Sequence, residues 1–134
     1  MSLIEHIKEE EGFRGTPYKD TLGYLTIGYG TKLPLDEAEA ELLLIHRLKK
    51  MQKQLHRRIT ELYGEVQLPD KVWEILYHMS YQLGVQGVMN FKKMLRAIVN
   101  GNYIEASREM LDSKWALQTP NRAERLSTMM GNIK

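Results

Sequence analysis

The sequence predicts an α+β chain, mostly α, in which a small β-hairpin lobe, a long connecting helix and an all-helical lobe follow one another. Three observations predict it. Amphipathic helical spacing recurs along most of the 134 residues. The stretch GFRGTPYKDTLGYLTIGYG interrupts that spacing with glycines, tyrosines and a D-T-L-G turn. A helical pattern then runs without a break from residue 36 to about residue 62.

Residues 2–11 form an amphipathic helix with Leu3, Ile4 and Ile7 on its apolar side, stopped by Gly12, a residue that tolerates the left-handed region beyond a helix end. Strands at Tyr18 to Asp20 and Tyr24 to Tyr29 flank the turn Asp20-Thr21-Leu22-Gly23, and Gly28 and Gly30 interrupt the second strand. Two strands alone are marginal, so the hairpin needs support. Asp36 and Glu39 make a D-x-x-E capping box that opens the long helix. Beyond Pro69 the expected helices are Val72 to Leu83 closed by Gly84, Asn90 to Val99 closed by Gly101, Asn102 to about Asp112, and Pro120 to Met130 closed by Gly131. Thr119-Pro120 offers a hydroxyl at the N-cap and proline at the first helical position. The chain reads as a single domain: a small lobe of about residues 12–35 with the connecting helix at about 36–62, and a helical lobe of about 63–134 joined by the N-terminal helix.

Composition removes several function classes. With 43% hydrophobic residues the chain can bury one ordinary core. No run of apolar residues is long enough to span a bilayer, and MSLIEHIKEEEG lacks the basic and apolar regions of a signal peptide, so synthesis in the cytoplasm without membrane insertion is expected. The chain has no cysteine, which excludes disulfides, thiol catalysis and thiolate metal sites. Four histidines show no ligand spacing, so no metal and no cofactor is expected, and the eight methionines read as core filler. The net charge of +2 is too mild for a nucleic-acid binder. The basic run HRLKKMQKQLHRR fits a solvated helix face, because Leu44, Leu48, Met51, Leu55 and Ile59 share one stripe while Lys49, Lys50, Lys53 and Arg57 lie opposite.

Chemistry is suggested by the carboxylates around the hairpin. Of Glu9, Glu10 and Glu11, the last lies nearest the apolar stripe of the first helix, where lost hydration favours the protonated carboxyl that a general acid requires. Asp20 follows nine residues later, after a helix stop and a chain reversal, and the spacing permits the two to face each other across a groove. Thr26 stands across the turn, where a hydroxyl beside a carboxylate can jointly hold a water. One protonated and one ionised carboxyl flanking a bond is an arrangement for glycosidic cleavage. Singly, each residue also has a plain structural reading: Asp in a turn, Thr in a strand, Glu in a solvated last turn.

The pattern E-x8-D-x5-T within EEGFRGTPYKDTLGYLTIGYG resembles the bacteriophage-type lysozymes, or endolysins, and SYQLGVQGVMNF (80–91) and SKWALQTPNRAERL (113–126) resemble stretches of that family's helical lobe in the same order. The resemblance implies a lysozyme-like two-lobe fold. It also implies inverting hydrolysis of the β-1,4 bond between N-acetylmuramic acid and N-acetylglucosamine in bacterial peptidoglycan, by a monomer without metal. On it, Glu11 would be the general acid, and Asp20 with Thr26 would orient the attacking water. Arg122 would approach Glu11 as a supporting cation, Tyr81 and Gln82 would line the cleft, and Gly30, with Gly28, would let backbone approach the sugar unless the two simply form a bulge. Trp115, Gln118 and Asn121 would be structural.

Two departures from the family are visible. The chain runs from Thr31 almost directly into the long helix, so the small lobe is trimmed, and Met94 and Glu109 occupy positions where polar sugar contacts are expected. A lytic transglycosylase and a non-catalytic cell-wall-binding module are the alternatives; the transglycosylase would need no water-positioning Asp20. Action on the wall from the cytoplasm needs a permeabilised membrane, and a holin partner follows by analogy.

Overall fold

The computed structural model describes all 134 residues, and their contacts divide them into two compact units, Met1–Leu44 and Ile45–Lys134. The first unit opens with α1 (Leu3–Glu11), whose N-terminus carries a capping box: the Ser2 hydroxyl accepts from the Glu5 N–H and the Glu5 carboxylate accepts from the Ser2 N–H. Gly12, at φ 67°, ends it as expected. Three antiparallel strands follow in the order β1 (Arg14–Lys19), β2 (Leu25–Gly28) and β3 (Thr31–Lys32). The third strand was not predicted from the sequence. Two residues are too few for a periodic signal, and the glycines read as interruptions of β2 instead mark its reversal into β3.

Helix α2 (Glu37–Tyr63) starts on the predicted box, with the Asp36 carboxylate accepting from the Glu39 N–H at 2.8 Å and Glu39 accepting from the Asp36 N–H at 3.0 Å. It belongs to the first unit through Leu44 and to the second from Ile45 onward. Its apolar stripe is buried only at Leu55 and Ile59, while Lys49, Lys50, Lys53 and Arg57 are exposed, the solvated face that the basic run predicted.

The second unit holds the core. Helix α3 (Asp70–Met89) was expected to stop at Gly84; it breaks there, at φ 78° and ψ 162°, and resumes for one further stretch because Val88 and Met89 are buried. Next come α4 (Lys92–Val99), α5 (Tyr103–Leu111), α6 (Lys114–Gln118) and α7 (Pro120–Gly131). The short α6 was missed because five residues show no helical period. Thr119 does stand at the N-cap of α7 but makes no side-chain cap; its hydroxyl donates to the Trp115 carbonyl at 3.1 Å. Met79, Met94, Met110 and Met130 are fully buried among Leu55, Ile75, Leu76 and Ile98, which makes methionine the filler its helical spacing implied. No helix is long and apolar enough to cross a membrane.

Candidate active site

In the first unit, the last turn of α1 is brought to the β2–β3 reversal by aromatic packing: the Phe13 and Tyr29 rings lie 5.6 Å apart, and Lys8 Nζ sits 5.4 Å from the Tyr29 ring centre. Glu11 thereby lies against Gly30. A Cβ placed on Gly30 would fall 2.6 Å from Glu11 Oε2, so only glycine leaves room for that carboxyl. The cover that helical phase predicted for Glu11 is not supplied by its own unit, in which α1 contributes no buried residue and Leu3, Ile4 and Ile7 find no apolar cover. The stripe that was to shield Glu11 finds no covering partner within residues 1–44.

Asp20 occupies the β1–β2 turn, where local hydrogen bonds fix it. Its Oδ1 accepts from the Leu22 N–H at 2.9 Å and from the Tyr24 N–H at 2.8 Å, an arrangement Asp adopts readily in turns. Oδ2 forms an ion pair with Lys32 Nζ. The lysine hydrogen bond and the backbone donors hold the Asp20 carboxyl below its ordinary range, and Asp20 in turn pushes Lys32 above its own. Only 15% of the Asp20 side chain is exposed, against 57% of Lys32, so the lysine forms the solvent side of the pair.

Thr26, in β2, is the one fully buried side chain of this unit. Its hydroxyl donates to the Tyr24 carbonyl at 2.9 Å and faces Lys32 Nζ at 3.5 Å, so it presents lone pairs, not a proton, toward Asp20's partner. Glu11, Asp20, Thr26 and Gly30 thus come from α1, the first turn, β2 and the second turn of one small unit. Lys32 was missed, and its only sequence cue was a basic residue two positions after Gly30.

The remaining predicted residues lie in the second unit. Tyr81 is half-exposed on α3, and the neighbouring Gln82 accepts from Trp115 Nε1 at 2.9 Å through its side-chain oxygen. Trp115 is buried and meets Phe91 edge-on at 6.0 Å, in keeping with its structural reading. Arg122 is exposed in the first turn of α7 and forms no ion pair within this unit. A groove of about 620 Å³ in this unit is lined by Phe91, Lys93, Met94, Glu109, Asp112 and Trp115, among others, so the two residues noted as departures border one groove, with Met94 buried at its floor.

A sequence profile described as phage lysozyme matches residues 8–128, a span that holds every one of these residues. The chain belongs to the phage lysozyme family. Among similar members, a probable T4-type lysozyme of Dictyostelium discoideum is 28% identical over 96% of this chain and 93% of its own length. A second from the same organism is 26% identical over 99% and 96%. The pre-baseplate central spike protein Gp5 of Enterobacteria phage T4 is 29% identical across the whole chain, which spans only 28% of that larger protein. The Gp5 alignment runs over 167 positions against 134 residues here, so the relative carries residues that this family member lacks. The mostly helical fold with a small antiparallel sheet accords with that membership.

Proposed function

We propose that the protein is a muramidase that cleaves the β-1,4 bond between N-acetylmuramic acid and N-acetylglucosamine with inversion, and that it serves as an endolysin. The observation that carries the reading is the gathering of Glu11, Asp20 and Thr26 in one hairpin unit inside a phage lysozyme match. In this scheme the Glu11 carboxylic acid gives its proton to the glycosidic oxygen as the bond from that oxygen to C1 breaks. Water attacks C1 from the opposite face and passes a proton to Asp20, leaving a reducing end of inverted configuration. Asp20 suits the base role because its donors keep it ionised, and its Oδ1 is held by backbone, which fixes the direction of Oδ2. Tyr81, Gln82 and Arg122 are proposed to contact or support the substrate from the second unit. Access to the wall is proposed to follow membrane permeabilisation by another protein.

Incubating the purified protein with peptidoglycan and analysing products by mass spectrometry tests the chemistry. Reducing ends are expected; anhydro-sugars would mean transglycosylation, and binding without turnover would mean a wall-binding module. Glu11→Gln removes the only proposed proton donor while conserving shape, so lysis should fall by at least about a hundredfold with the fold intact. Asp20→Ala should fall comparably, and unchanged lysis in either variant removes that residue's assigned role.

A further inference from the structure

Lys32 has no part in the scheme above, yet it touches both groups assigned to the water. It is the register partner of Thr26 across β2 and β3, so the two side chains emerge on the same face of the sheet. Its Nζ pairs with Asp20 Oδ2 and lies 3.5 Å from Thr26 Oγ1. The other ionisable groups whose charge reaches it are Glu11 at the end of α1 and Tyr18 in β1. A carboxylate oxygen offers about two acceptor sites and a hydroxyl oxygen two lone pairs. With the ammonium on one site of each, Asp20 Oδ2 and Thr26 Oγ1 each keep one for a further donor, which reaches the buried Thr26 when the more exposed Lys32 side chain shifts aside. A water has two protons for those two sites, and its own lone pair stays free to attack.

We propose that Lys32 is the positioning residue of the water site, clamping Asp20 Oδ2 and Thr26 Oγ1 into a preformed acceptor pair on which the nucleophilic water docks. This rests on the hydrolase reading and extends it to a residue outside the assigned trio. Lys32 works through Asp20 and need not touch the sugar. Its effect belongs in the turnover step, with substrate binding nearly untouched.

Two substitutions test it: Lys32→Met, which keeps length and removes charge, and Lys32→Arg, which keeps charge. On a soluble peptidoglycan fragment, Lys32→Met should lower kcat by about tenfold with KM within about twofold, and Lys32→Arg should recover most of the loss. The acid limb of kcat/KM reports the base in the free enzyme, so losing the cation should move that limb to higher pH in Lys32→Met. A higher kcat in Lys32→Met overturns the proposal, since the ammonium would then be occupying the water's place. A lower kcat with an unmoved acid limb also overturns it, because a purely structural strand contact would give that result. A carbon-13 titration of the Asp20 carboxyl in wild type and Lys32→Met needs no turnover. An Asp20 titration indifferent to Lys32→Met overturns the clamp at any level of activity. A wild type that cleaves nothing, with the titration responding, overturns the hydrolase reading and with it the positioning role, leaving the ion pair itself standing.

Discussion

Gly30 shows how far a single residue governs the candidate centre. Its φ of 75° is costly for any residue with a Cβ, by about 1–2 kcal/mol, and the Cβ would also strike the Glu11 carboxyl. Gly30→Ala should therefore destabilise the protein by about that amount and cut lysis sharply, since Glu11 must leave its seat. Thermal melting together with lysis assays checks both outcomes. At this scale Glu11, Asp20 and Thr26 were legible, because residue type and spacing around a turn suffice to nominate them. What the Thr26 hydroxyl bonds to, and that Lys32 sits opposite it, depend on the register of a two-residue strand, which no periodicity announces. The dryness expected of Glu11 is not supplied within residues 1–44, because helical phase says which side of a helix is apolar, not what covers it.

Between elements, the contact of α2 with α3 carries a titratable group. The His56 ring stacks on Trp73 with centroids 3.7 Å apart, and its Nε2 lies 2.5 Å from the Tyr77 hydroxyl. Desolvation depresses the His56 pKa and raises that of Tyr77, the latter with a further push from Asp70. A histidine harder to protonate when folded favours the unfolded chain as acid is added. Its contribution is present above the ordinary histidine pKa and is lost as pH falls through the depressed value. His56→Phe preserves the stacking surface and cannot titrate, so the fall in urea midpoint between about pH 7.5 and pH 5 should be shallower in the variant than in wild type. The helices were legible from their punctuation, since the Asp36–Glu39 capping box, Pro120 and the glycines each mark a boundary, whereas the Ser2–Glu5 box was not read. Gly84 misled because one residue at positive φ turns the chain without ending the packing need of Val88 and Met89 beyond it.

Across the whole molecule, apolar burial is unevenly shared. The buried hydrophobic side chains run from Leu55 to Met130, all in the second unit, whereas the first unit buries only Thr26. A hairpin lobe, a long helix and a helical bundle could be foreseen, since helical period separates from strand alternation over long stretches. The uneven core could not, because hydropathy along residues 1–44 is not low: Leu3, Ile4, Leu42, Leu43 and Leu44 find no apolar cover within their own unit. The proposed chemistry therefore sits on a unit without an apolar core of its own. Segments with few buried apolar contacts open well below the global unfolding free energy. Amide protons of β1 to β3 should accordingly exchange with deuterium far sooner than those of α3 and α7, and warming should silence lysis at temperatures where the helical signal in circular dichroism is still nearly complete.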